Sequence, residues 1–442
     1  MKLKQKIVLG VLLIVALAVV VVPFYRFLAR LTTAEHGGVE LRKFPYPYKA
    51  MLAISSDIDG STLEEFEEIH RYLNTKSMTS MGEGLGLDVA DSFWMYVATD
   101  KPGYIDQKGH TFADQMSYFY GTDWRKKKDA AAIIKYYRAG WIDSIHTYGD
   151  FIRMDNSPGP FSRTMAQEAL KELKANGIKV EVWIDHGNQS NIQNFVLSNR
   201  PTMKYMQGDN PECRQYYHTD LLADYGIRFG WGPCMNTIGR DTMLYPRKLR
   251  DGRKIWAFYR YTDAGTDAKG KTRWLWNPMY LAEQLKPEKL AELKAKGQYA
   301  IVAQHLGANI DWPIFWESAR AALRNLADEY YRGEILVTRT SRLLKYNLAQ
   351  QYVKYQVVQT EQGKEIHIEK IDDPLFGPFV PSLDEVRGLT FYVDDDLARV
   401  SVWLGNERIG PDDLQFNPAD STGRKSVSIR WFMPDTTDYT RF

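Results

Sequence analysis

The residues of this chain best placed to do chemistry are two carboxylates set two positions apart, in Ser55-Ser56-Asp57-Ile58-Asp59-Gly60. They follow residues 49–55 (KAMLAIS), an apolar run that reads as a buried strand, and Gly60 permits a tight turn. Side chains alternate along a strand, so positions 57 and 59 should project to the same side. Two close carboxylates resist ionising together unless a cation lies between or beside them. One can therefore bind a metal while the other accepts a proton. Alone, D-x-D-G is a weak signal, because turns and helix caps also produce it. His146, in Ile145-His146-Thr147-Tyr148-Gly149-Asp150, strengthens it. A His followed four residues later by Asp offers one nitrogen and one oxygen ligand if the intervening turn is helical. With Asp59 this makes a mixed His/carboxylate triad with positions left for water.

The elements that must carry these residues alternate. Apolar runs at 49–55, 92–98, 141–145, 179–184, 227–231, 255–261, 299–304 and 334–338 read as strands. Amphipathic patterns near 62–73, 128–138, 163–175, 215–225, 287–296 and 312–331 read as the intervening helices. Seven or eight such alternations, with nearly continuous apolar strands, predict parallel strands covered by helices. The count suits a distorted (β/α) barrel better than an open sheet. In such folds function gathers at the carboxyl ends of the strands. Those ends carry Asp57 and Asp59, His146, Asp185-His186, Trp231, Asp263 and His305, few of which packing would select. Long rim segments at 78–91 and 101–125 are expected to shape a groove. After about residue 350 short alternating strands and turn-rich segments take over, which predicts a small all-β, sandwich-like accessory domain. The organisation expected is a tip and anchor at 1–24, a linker at 25–45, a catalytic domain at 46–348 and the β domain at 349–442.

The N-terminus stands apart. Lys2, Lys4 and Lys6 precede an apolar run from Ile7 to Val22. About 18 residues of helix span roughly 27 Å, close to a bilayer's hydrocarbon core. The run exceeds a signal peptide's apolar region and ends in Phe24-Tyr25-Arg26, a poor cleavage site. It reads as a single-pass anchor in a bacterial inner membrane, with the lysines cytoplasmic and the catalytic part periplasmic or extracellular. Lys+Arg is 57 against Asp+Glu 55, a balance that gives no reason to invoke nucleic acid. The only cysteines, Cys213 and Cys234, are candidates for a disulfide in an oxidising compartment and do not make a zinc site.

Over roughly residues 45–345 the chain resembles the polysaccharide deacetylase family, the NodB-homology fold. Asp57 and Asp59 match its first motif in the D-x-D form. His146, Thr147 and position 150 match His-Ser/Thr-x-x-His, and Val302-Ala303-Gln304-His305-Leu306 matches its last motif. The resemblance implies Asp57 as general base, Asp59 and His146 as metal ligands, and His305 as general acid. It also implies one divalent ion: zinc first, with nickel, cobalt or manganese as alternatives. Two positions depart from the pattern. Asp150 stands where the family has His, and Asp can still ligate. The Arg-x-Pro segment expected after the fourth strand is replaced by Asp185-His186-Gly187-Asn188, which removes the Arg that supports the base. His186 or Asn188 could substitute in part, or these residues, with Asp185 and Trp231, line the substrate groove.

The chemistry implied is metal-assisted hydrolysis of an acetyl amide or ester on an extracytoplasmic polysaccharide, with envelope polysaccharide biosynthesis proteins as candidate partners. Two rival readings stay open. One is a glycoside hydrolase on a related barrel, with Asp185 or Asp263 supplying the second carboxylate. The other is a non-catalytic glycan-binding or assembly protein on the same scaffold.

Overall fold

The computed structural model describes residues 37–101, 109–187, 190–196, 206–262, 264–266, 272–307, 314–394 and 396–442. The expected anchor at 1–24, Asn188 and Asp263 lie outside them. Among the described residues no helix is long and apolar enough to cross a membrane. By the clustering of its contacts the described chain forms two compact units: one within residues 47–348 with 432–442, and one of residues 37–46 with 349–431.

The first unit is a closed barrel of seven parallel strands. In chain order these are β1 (Ala50–Ser56), β2 (Ala90–Phe93), β3 (Ile142–His146), β4 (Val182–Ile184) and β5 (Phe229–Met235). After a hairpin strand β6 (Leu244–Lys248) come β7 (Lys254–Tyr261) and β8 (Tyr299–Gln304). Neighbours pair in the order β1-β2-β3-β4-β5-β7-β8 and back to β1, the ring being closed between β5 and β7 and between β8 and β1. β1 is buried at all seven of its positions, and its apolar run from Ala50 to Ile54 suits a strand covered on both faces. The barrel is distorted where β1 changes partner. Its first residues pair with β9 (Ile335–Val337) and only Ser55 and Ser56 reach Ala90 and Asp91 of β2. β6 runs antiparallel to β7 and has no counterpart in the simple alternation expected.

Helices between the strands follow their local signals. α1 (Leu63–Asn74) opens on a capping box in which Thr62 and Glu65 satisfy each other's free amides. α2 (Ala130–Ala139) stops at Gly140, whose φ of 76° a side chain would disfavour. α3 (Arg163–Ala175) is capped by Ser162, whose side chain accepts from the Met165 amide, and buries Met165, Ala166, Ala169, Leu170 and Leu173. α4 (Thr219–Tyr225), α5 (Pro287–Lys296) and α6 (Glu317–Tyr331) complete the set used below. Large aromatic side chains fill the interior, with Trp94, Trp141, Trp183, Tyr136 and Tyr148 all essentially inaccessible.

The second unit is mainly β. A four-stranded sheet runs Val39–Leu41, Thr390–Val393, Ser426–Ile429, Leu414–Asn417, all antiparallel. A five-stranded sheet is built on the long hairpin Val353–Thr360/Gly363–Asp373, with Val400–Leu404 added in parallel. Residues 39–41, read from sequence as linker, are thus a sheet strand. The last eleven residues, 432–442, cluster with the barrel unit rather than with the β domain.

Candidate active site

Asp57 and Asp59 leave the end of β1 in a turn that is tied down atom by atom. The Asp57 amide continues the ladder by donating to Gln304 O (2.8 Å), and the Ile58 amide donates to Ser92 Oγ (3.0 Å). Ile58 is fully buried and anchors the turn between the two acids. Gly60 takes a φ of 79°, the role expected of it, and its amide donates to Gln115 Oε1 (2.7 Å). The two carboxylates then serve two clusters. Asp59 joins His146 and His186, and Asp57 with Asp59 and His305 forms a second group, the ligand atoms in each lying within 4.8 Å of one another.

In the first cluster Asp59 Oδ2 lies 3.0 Å from His146 Nε2, and Asp59 Oδ1 lies 3.3 Å from His186 Nδ1. The two imidazole nitrogens approach each other to 2.9 Å. Trp94, just beyond β2, stacks on His146 (14° between planes) and meets His186 edge-on (79°). Asp150, expected as a ligand, belongs to neither group. The turn after His146 is not helical. Thr147 adopts a φ of 51°, and Gly149–Asp150 forms a two-residue strand paired with Tyr96–Val97. This carries the Asp150 carboxylate behind His186, 3.4 Å from its Nε2, while its Oδ1 accepts the Ile152 amide (3.0 Å).

These residues fit a divalent cation. His146 Nδ1 faces only the carbonyl of Ile184 (3.2 Å), an acceptor, so Nδ1 carries the proton and Nε2 turns a lone pair to the cluster. Asp150 behind His186 likewise favours a proton on its Nε2 and leaves Nδ1 to the cluster, the carboxylate–histidine arrangement of metal sites. Asp59 Oδ2 is buried without a hydrogen-bond partner. Three electron pairs thus converge on one point. Ligands about 2.1 Å from a tetrahedral ion stand roughly 3.4 Å apart, close to the spacings seen. Electrostatics agree. Burial alone would lower the His186 pKa, but Asp59 and Asp150 outweigh it and push it up to about 9. Burial works against ionisation of Asp59 as well, yet His186, His305 and His146 hold it well below the usual carboxylate range. The cluster attracts positive charge.

Asp57 is held differently. Arg260, near the end of β7, donates from Nη1 to Asp57 Oδ1 (2.6 Å) and from Nη2 to Oδ2 (2.8 Å), and both residues are buried. Burial resists the charge on Asp57, but Arg260 and then His146 overcome it, so the carboxylate stays ionised far below the usual range. His305 Nε2 lies 3.3 Å from Asp57 Oδ2. The His305 amide donates to Trp276 O (2.8 Å), and its ring stacks on Trp276 at 28°. Trp231 is half-buried beneath the Arg260 guanidinium, 4.3 Å from ring centre to Cζ, and meets Trp276 edge-on. Trp231, expected to line the groove, therefore packs on the residue that supports Asp57.

The remaining expected residues fall elsewhere. Asp185 is buried and structural: Oδ1 accepts from Trp183 Nε1 (2.8 Å) and the Phe195 amide (3.2 Å), and Oδ2 from the Val196 amide (2.9 Å). Burial lifts its pKa to about 6 despite these bonds. His186, expected in the groove, stands beside Asp59 and His146 in the group that could hold a metal ion. Cys213 and Cys234 are both free, which corrects the disulfide expectation. Sequence reasoning missed Arg260 altogether. The signal was present: a charged residue inside KIWAFYRY, an otherwise apolar buried strand, needs a buried partner.

The fold and the site together define a (β/α)-barrel protein in which an Asp/His₂ cluster that could hold a metal ion lies beside an arginine-held carboxylate. No family model and no curated protein sequence matches the chain. Among solved structures it is similar to one from Mycobacterium smegmatis, provisionally named a polysaccharide deacetylase. The two are 14% identical, with 71% of this chain and 96% of that chain covered and a TM-score of 0.32. At that distance function has to be read from the site itself.

Proposed function

We propose that the chain is a metal-dependent hydrolase that removes N- or O-linked acetyl groups from an extracytoplasmic polysaccharide, held at the membrane by its N-terminal apolar run. The observation that carries this reading is the adjacency of two functions on one turn: Asp59 in the cation cluster and Asp57 ionised beside it. Two imidazoles and one carboxylate suit zinc first, with nickel, cobalt or manganese as alternatives. Bound there, the ion supplies Lewis-acid polarisation of the acyl carbonyl and a lowered pKa for a coordinated water.

The chain's own groups supply the proton transfers. Asp57 is kept ionised by Arg260 and so can accept a proton from the attacking water. His305, partly exposed and 3.3 Å from Asp57 Oδ2, can hand a proton to the departing sugar nitrogen or oxygen. The glycosidase reading loses one of its two candidate second carboxylates, because Asp185 has both oxygens committed to Trp183 and the 195–196 backbone; the other, Asp263, lies outside the described residues.

The test combines metal analysis of the purified chain with acetate release from a panel of acetylated glycans. Asp57→Asn should abolish turnover and retain the metal, whereas Asp59→Ala should lose both. Full activity in either variant, or a new reducing end in place of acetate, would overturn the proposal.

A further inference from the structure

The turns that carry His146, Asp150 and His186 are joined by one buried segment, residues 190–195 (SNIQNF). Its polar side chains Ser190, Asn191, Gln193 and Asn194 are all fully buried. Buried amides are costly unless paired, so where these bonds go is informative. Gln193 Oε1 accepts the Tyr148 amide (3.1 Å), and its Nε2 donates to Gly149 O (2.8 Å) and Thr147 Oγ1 (3.1 Å). Asn191 Oδ1 accepts the Phe151 amide (3.0 Å) while its Nδ2 donates to Gly187 O (2.7 Å). Asn194 Oδ1 accepts the His186 amide (3.1 Å), and its Nδ2 bonds to the His186 carbonyl. Three amide side chains thus hold the backbones on both sides of the cation cluster.

One of those backbones is strained. Thr147, β-branched and directly after His146, sits at a φ of 51°. A non-glycine residue in that region is strained and persists only where its surroundings over-determine it. Gln193 supplies that constraint, bonding to the Thr147 hydroxyl and to the next two backbone groups. The segment is braced from behind in turn. The Gln207 amide donates to Ile192 O (2.8 Å), the Gly208 amide to Asn194 O (3.1 Å), and His218 Nε2 meets Gln193 O at 2.8 Å.

We infer that residues 190–195 are a positioning clamp for the cation site, with Gln193 holding the strained Thr147 turn so that His146 and His186 keep their reach to Asp59. This rests on reading Asp59, His146 and His186 as the cation site. The experiment measures Zn²⁺ affinity of the full chain by competition with a chromophoric chelator, alongside melting with and without Zn²⁺. Gln193→Met should weaken Zn²⁺ binding about tenfold or more and shrink the Zn²⁺-induced rise in Tm. Adding Thr147→Gly, which removes the penalty for positive φ, should restore part of that affinity. A role in folding alone would lower Tm equally with and without Zn²⁺ and leave affinity unchanged; that result overturns the clamp. Gln193→Glu keeps the shape and the acceptor for Tyr148 but loses the donor to Gly149. It carries the same test if the Met variant does not fold. A wild-type chain that binds no Zn²⁺ overturns the cation-site reading and the clamp with it. Wild-type binding with unchanged affinity in the variants overturns the clamp alone.

Discussion

Arg260 grips Asp57 through two parallel hydrogen bonds of 2.6 and 2.8 Å, reaching it from the next-but-one strand of the barrel. The pair is inaccessible to water, so each charge depends on the other for its solvation. Removing one partner of such a pair costs about 3–5 kcal/mol, because the other is left buried and charged. Arg260→Met should therefore destabilise by about that amount in urea denaturation and remove activity. Adding Asp57→Asn should recover much of the stability and none of the activity. A loss well under about 1 kcal/mol would mean that the pair is open to solvent.

How much of this could be read in the sequence depends on whether a residue's partner is near it in the chain. Asp57, Asp59 and His146 sit at strand ends, where apolar runs give way to polar residues, and the pattern of strands places those ends on one rim. Arg260 was harder to read: its place inside an apolar strand calls for a buried partner, but that partner lies about two hundred residues earlier and nothing local names it. His186 is legible as a rim residue, but its closeness to Asp59 and His146 is not. Its role depends on Thr147 taking a positive φ, which swings Asp150 behind it, and propensity assigns no such conformation to a β-branched residue. The helical turn expected between His146 and Asp150 failed for the same reason.

The two groups sharing Asp59 make different predictions for metal content. Arg260 already neutralises Asp57, so a second cation beside Asp57 and His305 would meet a guanidinium a few ångströms away. One ion per chain is expected, as measured by plasma mass spectrometry after dialysis. His186→Ala should lose it and His305→Ala should keep it. Asp150→Asn, which keeps the shape but removes the charge behind His186, should weaken affinity about 10–100-fold. Retention by His186→Ala with loss by His305→Ala would move the ion to the other group.

The cysteines give a covalent check on the barrel. Cys234 is paired in register with Arg260 on β5 and β7, and Cys213 lies on a separate segment where Asn210 Nδ2 donates to its sulfur. Both should titrate as free thiols in denaturant under non-reducing conditions. In the native chain Cys234 should react slowly at pH 8, because burial pushes its pKa up to about 11, the nearby Arg260 only partly offsetting this. One or no titratable thiol in the denatured, unreduced protein would show that the pair is bridged or modified.

His218, which braces the 190–195 segment, sets an acid limit on stability. Its ring is fully buried among Tyr148, Phe161, Trp183 and Phe195, with Nε2 on the Gln193 carbonyl and Nδ1 without a partner. Burial lowers its pKa from 6.5 to about 4, and the bond to Gln193 only partly resists this. The folded state therefore prefers the neutral ring. Its stabilising contribution is full above the unfolded pKa of 6.5 and disappears as pH falls toward 4. Integrated over that window, the linkage is worth about 3 kcal/mol. His218→Gln keeps a donor for the Gln193 carbonyl but cannot titrate. It should be less stable at pH 7 through lost packing, yet lose less further stability than the wild type between pH 6.5 and 4 in urea denaturation. Equal losses in both proteins would mean that His218 charges freely in the folded state.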